Sequence, residues 1–249
     1  MGALRRERCE DAERPWGKEL NPLPWWPGQP LPPVAWGTTP QDHEAPALLI
    51  LDRRDGAGAA PSGALGSLLD RAEQDRALRF RRPGDRESYQ LGRAALRQVL
   101  GAYLDRNPAA LSFRYGPHGK PALDGVVDAA PHFNLAHSGD LILLALHPSR
   151  HVGVDVERLR PGLDWRPIAR RVLPAAAVSR LESLPPEQGD AAFLEAWCRL
   201  EARLKASGEG LAGLERLRRE SATQPAEIAI WDVEVPAGYR AAVALAEPL

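Results

Sequence analysis

The order of apolar and polar positions divides the chain into short strands and a few amphipathic helices. Leu48 to Asp52 reads as a strand, and Pro61 to Asp70 leads into a helix. Arg86 to Asp105 carries Tyr89, Leu96, Leu100 and Tyr103 at helical spacing, and Asn107-Pro108 ends that helix. Strands are expected at Ser112 to Tyr115 and at His132 to Leu135, with the turn Gly116-Pro117-His118-Gly119 after the first. Leu141 to Leu146 and Val152 to Glu157 flank His147-Pro148-Ser149-Arg150, and two apolar runs around a four-residue turn predict a hairpin. Helices follow Pro161, one starting near Pro174, with Pro185-Pro186 as a stop. A long helix then runs from near Asp190 to Ser207, where Gly208 ends it. Ile228 to Val233 and Arg240 to Leu245 read as closing strands. Strands and helices mix without regular βαβ alternation, so the pattern predicts an α+β fold; no short-period repeat is visible.

Residues 1 to 47 depart from this pattern, with nine prolines and four of the seven tryptophans: Trp16, Trp25, Trp26 and Trp36. No regular helix fits there. The stretch reads as an extended arm whose tryptophans pack onto the domain surface, a partner-binding peptide being the other reading.

Composition narrows the classes. A chain of 249 residues with 44% hydrophobic and 26% charged residues is an ordinary soluble globular protein, which excludes fibres and wholly disordered chains. Lys plus Arg at 32 and Asp plus Glu at 33 leave a net charge of -1, with no global attraction to nucleic acid or membrane. Any anionic ligand must be held by a local cluster of cations. Only Lys18, Lys120 and Lys205 among the 32 are lysines. Cys9 and Cys198 supply neither a disulfide framework nor a four-ligand zinc site, and the amino end lacks the apolar run of a signal peptide. A cytoplasmic protein is expected.

Three segments could carry chemistry. In Val152-Gly-Val-Asp-Val-Glu157, strand alternation puts Asp155 and Glu157 on one face and Val154 and Val156 on the other. Two carboxylates so placed call for a divalent cation or for a strand end emerging into water, and the hexapeptide leaves both open. In Phe193 to Lys205, a buried stripe of Phe193, Trp197, Leu200 and Leu204 puts Glu201 and Lys205 on its margin, while Glu195, Arg199 and Arg203 point away. An acid and a cation four apart are, taken alone, most often a helix salt bridge. In the third, Arg114 to Pro121 with Phe133 to Gly139, glycines expose backbone donors and Lys120, His137 and Ser138 suit phosphate oxygens, unless these are ordinary turns. The arginines Arg71, Arg76, Arg79, Arg81, Arg82 and Arg86 are interleaved with acids and read as a solvated face.

Taken in order, Leu91-Gly-Arg93, Gly119-Lys-Pro121, Phe133-Asn-Leu-Ala-His-Ser138, Val152-Gly-Val-Asp-Val-Glu157, Trp197 to Lys205 and Gly208-Glu-Gly-Leu211 resemble the motifs of the surfactin-type 4'-phosphopantetheinyl transferases. The resemblance covers about Leu65 to Val235. It implies a pseudo-dimer of two similar α+β halves, here residues 48–130 and 131–249 after the arm of residues 1–47, with coenzyme A between the halves. It further implies that Asp155, Glu157 and Glu201 hold Mg²⁺, that Arg76, Lys120, His137 and Ser138 bind coenzyme A, and that Lys205 contacts its pyrophosphate. Asp155, Glu201 and Lys205 are then the catalytic set. The implied reaction moves the phosphopantetheine arm of coenzyme A onto a serine of an apo acyl or peptidyl carrier protein. The implied enzyme is a monomer that needs neither nucleic acid nor membrane. Two positions depart from the pattern: Leu200 stands where lysine is frequent and Ala136 where serine is common, which implies weaker coenzyme A binding. The competing readings are a non-catalytic module that binds coenzyme A or a carrier protein, and a Mg²⁺-dependent pyrophosphate hydrolase.

Overall fold

The computed structural model describes residues 19–20, 23–29, 45–55, 65–116, 119–125, 130–208, 210, 213–214 and 228–247. Trp16, Trp36, Cys9, Lys18, Pro61, the Pro117-His118 part of the predicted turn, and Glu209 and Leu211 of the glycine motif lie outside them. Among the described residues the strands are β1 (Glu19–Leu20), β2 (Leu23–Pro24), β3 (Ala47–Asp52), β4 (Phe113–Tyr115), β5 (Pro121–Leu123), β6 (His132–Ser138), β7 (Leu141–His147), β8 (His151–Arg158), β9 (Ile228–Val233) and β10 (Tyr239–Ala246). The helices are α1 (Arg71–Ala77), α2 (Pro83–Tyr103), α3 (Arg166–Val172), α4 (Ala175–Glu182) and α5 (Pro186–Ser207).

Two four-stranded sheets organise the molecule, one ordered β2-β3-β7-β6 and the other β1-β9-β10-β8; β4 and β5 pair separately. The uninterrupted apolar run of β7 follows from burial on both faces. Ile142, Leu144 and Leu146 pack with Leu91, Ala95, Leu96, Val99 and Leu100 of α2. Leu141, Leu143 and Ala145 face the second sheet, meeting Val152, Val154 and Val156 of β8 and Val243 and Leu245 of β10. The far side of that second sheet, at Ala242, Ala244 and Ala246, packs on Cys198, Ala202 and Ala206 of α5. The layers therefore run helix, sheet, sheet, helix, with α2 on the first sheet and α5 on the second. The α+β architecture in two halves is the one the sequence predicts. The first sheet continues past residue 130, since β6 and β7 pair with each other and β7 with β3.

Several elements differ from expectation. β7 and β8 form no hairpin: the turn between them carries the chain from one sheet to the other, and β8 pairs instead with β10. The hairpin lies one strand earlier, between β6 and β7, where Gly139 adopts φ 58°. β6 reaches Ser138, beyond the expected Leu135. α1 begins at Arg71, capped by Asp70, whose side chain accepts from the Glu73 amide while Glu73 accepts from the Asp70 amide. Pro186 opens α5 at its first position, where a missing N–H costs nothing. The predicted α5 stripe is also incomplete. Phe193 and Leu194 pack against α3 and α4 with Trp197 and Leu200 at the margin, but a second face of small residues carries α5 on the sheet.

Of the arm, Trp25 is buried and belongs to the core beneath α2, and Trp26 packs beside it. Leu20 and Leu23, three residues apart in the chain, lie in different sheets: β1 runs parallel to β9, and β2 parallel to β3.

Candidate active site

Gly153 sets the geometry of the site. It lies on the face of β8 that carries Asp155 and Glu157, and a Cβ there would stand 2.1 Å from the Ala202 carbonyl oxygen and 2.4 Å from the Ala206 amide nitrogen. The α5 backbone therefore rests directly on the strand. That contact brings the carboxyl-terminal turns of the helix, with Glu201 and Lys205, beside the two acids of β8. Gly208 ends the helix in the left-handed conformation, φ 72°, which only glycine adopts readily.

Lys205 Nζ donates to Asp155 Oδ1 at 2.6 Å and to the Val154 carbonyl at 3.1 Å. Asp155 is buried, and its Oδ2 has no hydrogen-bond partner. Burial pushes its carboxyl up to about 6 against the pull of Lys205, and the neighbouring Glu157 and Glu201 add to the rise. Ser138 Oγ donates to Glu157 Oε2 at 2.9 Å. Cys198, buried under the sheet, donates to the Arg240 carbonyl; burial, with Asp155 and Glu157 near it, pushes its thiol up and leaves it unreactive.

Lys120 reaches in from the other half. Its Nζ donates to the Val152 carbonyl at 2.9 Å and to the Lys205 carbonyl at 2.6 Å, one acceptor on the open edge of β8 and the other in the last turn of α5. Burial, helped by Lys205, lowers its ammonium to about 8. His137 stands exposed on β6, and its imidazole is held below the ordinary histidine range chiefly by the surrounding atoms, with Asp85 opposing and Lys205 assisting.

The structure thus gathers Asp155, Glu157, Glu201, Lys205, Lys120, Ser138 and His137. The Arg76 guanidinium lies over the Tyr89 ring, 5.5 Å from its centroid. Among the described residues no three His, Cys, Asp or Glu side chains form a ready-made metal cage. Lys205 on Asp155 and Ser138 on Glu157 take up carboxylate oxygens that three mutually repelling acids would otherwise leave bare. Ala136 is buried toward the second sheet, and Leu200 packs at the α3–α4 core, so both departures from the motif pattern serve packing.

Four buried polar residues to which the sequence reading assigned no role, Asn134, Glu73, Arg93 and Arg97, complete the picture. Asn134 Oδ1 accepts from the Val154 amide at 2.8 Å, a buried bond between the sheets. Under α1, Glu73 accepts from Arg93 and Arg97, and Arg97 Nε and Nη2 also bond Glu73 and Asp70 at 2.7 and 2.8 Å. Arg93 and Arg97 fall four apart on the same side of α2 as Leu96 and Leu100, which is the signal that could have marked them as buried.

Comparison with known proteins fits this arrangement. The sequence model of the 4'-phosphopantetheinyl transferase superfamily matches residues 151–240, and that of the 4'-phosphopantetheinyl transferase N-terminal region matches residues 62–149. The 4'-phosphopantetheinyl transferase HetI of Nostoc is 40% identical over 166 residues, 66% of this chain and 70% of the relative. The 4'-phosphopantetheinyl transferase of Bacillus subtilis is 30% identical over 141 residues, 56% of this chain and 60% of the relative. The 4'-phosphopantetheinyl transferase AcpT of Salmonella typhimurium is 43% identical over 94 residues, 38% of this chain and 48% of the relative. The chain belongs to the 4'-phosphopantetheinyl transferase family. The boundary between the two matched regions, at residue 150, falls in the turn that carries the chain from the first sheet to the second. Among the described residues no helix is long and apolar enough to cross a membrane.

Proposed function

We propose that the chain transfers the 4'-phosphopantetheine arm of coenzyme A to a serine of an apo carrier protein, in the manner of the surfactin-type members of its family. The observation that carries this reading is the Asp155 carboxylate, buried beside Glu157 and Glu201 with one oxygen on Lys205 and the other unpartnered. A buried carboxylate oxygen without a partner is costly, and a set of oxygen donors suits a hard divalent cation, for which Mg²⁺ is the expected ion. Asp155, Glu157 and Glu201 would hold it. Bound there, it would neutralise charge on the pyrophosphate of coenzyme A.

The carrier serine oxygen attacks the phosphorus that bears the pantetheine arm. A phosphorus–oxygen bond forms to the serine, and the bond to the bridging oxygen of the pyrophosphate breaks. That oxygen leaves with 3',5'-adenosine bisphosphate. Lys205 offsets the charge that develops on the leaving group, and His137 lies on the nucleotide side, with Arg76 on α1 as an outer contact. The serine proton passes to a base, either Glu201 or a bound water.

Intact mass spectrometry of an apo carrier protein incubated with this protein, coenzyme A and Mg²⁺ tests the reading. One phosphopantetheine arm is expected on the carrier, absent with EDTA or with Asp155→Ala, and Glu201→Gln is expected to slow transfer by about 100-fold or more. No gain across fatty-acid, polyketide and peptide carriers, with coenzyme A still bound, overturns it in favour of a binding module. Adenosine bisphosphate released without a carrier overturns it in favour of a hydrolase.

A further inference from the structure

β8 is the end strand of its sheet, and β6 is the end strand of the other. Where these two edges meet there is no ladder between them. In an antiparallel strand, alternate residues direct both backbone groups to the same side. Residues 153, 155 and 157 turn theirs toward β10, so Val152, Val154, Val156 and Arg158 present theirs to the open edge. Side chains answer them. Lys120 takes the Val152 carbonyl, Asn134 the Val154 amide, Lys205 the Val154 carbonyl, and Ser138 the Arg158 amide at 3.1 Å.

Ser138 differs from the other three because its one proton is already committed. A serine hydroxyl has one proton to donate. Here that proton goes to Glu157 Oε2 at 2.9 Å, while the same oxygen accepts from the Arg158 amide. The Arg158 N–H occupies a lone pair of Oγ and so orients the hydroxyl toward the glutamate. The residue is 9% exposed and lies on the side of β6 that faces the second sheet, with Asn134 and Ala136. No donor remains for a phosphate oxygen.

We propose that Ser138 is a positioning residue that fixes the Glu157 carboxylate, and that it makes no contact with coenzyme A. The inference rests on the reading of Asp155, Glu157 and Glu201 as holders of a divalent cation. Glu157 sits near the end of its strand on a side chain with three rotatable bonds. A hydroxyl that is itself fixed by the β8 backbone selects one arrangement of that side chain before a cation arrives. Partners that orient ligating carboxylates in this way are typically worth about 10- to 100-fold in metal affinity.

The test uses the full chain and measures binding, with no carrier protein present. Mn²⁺ affinity is read from the electron paramagnetic resonance signal of the free ion in saturating coenzyme A, and coenzyme A affinity is read by calorimetry in EDTA. For Ser138→Ala we expect Mn²⁺ affinity to fall about tenfold, with coenzyme A affinity in EDTA unchanged within about twofold. Ser138→Thr, which keeps the hydroxyl, is expected to restore Mn²⁺ affinity to within about threefold of wild type and keeps the test open if the alanine variant folds poorly. Mn²⁺ affinity unchanged in Ser138→Ala overturns the proposal. So does a tenfold loss of coenzyme A affinity in EDTA, which would make the hydroxyl a phosphate contact. Equal Mn²⁺ affinity in wild type and Asp155→Asn overturns the reading of the acids themselves, and the inference with it.

Discussion

At the scale of single residues, buried ionisable groups do much of the work in this protein, and their protonation makes stability depend on pH. The His132 and His151 rings lie tilted at 50° to each other, with centroids 4.3 Å apart, near Lys120 and His147. Burial, then His151, Lys120 and His147, pushes His132 down to about 4, from an ordinary value near 6.5. The unfolded chain therefore binds a proton between pH 6.5 and 4 that the folded chain refuses. The stability His132 contributes is complete above pH 6.5 and is lost as pH falls through 4. His151 is lowered for the same first reason, so it adds in the same direction. His132→Gln should flatten the acid limb of a plot of melting temperature against pH across that window without removing it. Equal slopes in the variant and wild type would show that the imidazole titrates normally in the fold. Asp155 behaves in the opposite sense. Burial raises it to about 6, so between pH 3.8 and 6 the folded chain holds a proton that the unfolded chain has released. The stability this gives is complete below 3.8 and is lost as pH rises through 6, leaving at neutral pH an ionised carboxylate in the candidate active site.

At the scale of elements, the placement of the site depends on how closely α5 approaches β8. The atoms that an added Cβ at Gly153 would strike belong to the helix backbone, at Ala202 and Ala206, so no side-chain rotation relieves the clash. Gly153→Ala should cost more than about 3 kcal/mol in urea denaturation and carry Glu201 and Lys205 off Asp155. Gly92 makes the control. An added Cβ there meets only the Leu135 and Ile142 side chains, at 3.2 Å or more, and Gly92→Ala should cost about 1 kcal/mol or less. Similar losses in both variants would contradict this account. The sequence made α2 and α5 legible by their helical period, β8 by its alternation, and β3 and β7 as short continuous apolar runs. It also put Asp155 and Glu157 on one face, which alternation alone decides. It could not reveal the partner of β8, since a four-residue turn looks the same whether it joins two strands of one sheet or passes between two sheets. Nor could it reveal the second buried face of α5, because Ala202, Ala206 and Cys198 carry little apolar weight until a flat sheet is known to lie against them. Arg93 and Arg97 were concealed by abundance: in a chain with so many surface arginines, two buried ones show only through their register with Leu96 and Leu100.

At the scale of the whole molecule, two stacked sheets leave four edges, and this chain closes them in two different ways. β8 and β6 meet on one side, where Lys120, Asn134, Lys205 and Ser138 satisfy the β8 edge and the candidate site forms. β1 and β2 lie at the opposite ends of the same sheets, and the arm supplies both strands. The Leu20 carbonyl accepts from the Glu234 amide at 2.9 Å, and the Trp25 amide donates to the Ile50 carbonyl at 3.0 Å, so one short segment is bonded to each half. Trp25 then anchors the segment in the core beneath α2. The arrangement predicts a separation of stability from activity. Trp25→Ala should lower stability by about 3–5 kcal/mol, as loss of a buried tryptophan does. A variant lacking residues 1–28 should lose at least as much and, with the β3 and β9 edges bared, should self-associate in light scattering at raised concentration. Both changes fall on the side of the sheets away from β8, so transfer to a carrier protein, measured well below the melting temperature, should stay within about twofold of wild type for Trp25→Ala. A large loss of transfer at full folding would mean that the arm acts on the site as well as on the frame. Unchanged stability in both variants would mean that the two halves hold together through the β6 and β8 edges and the valine and leucine layer between the sheets alone.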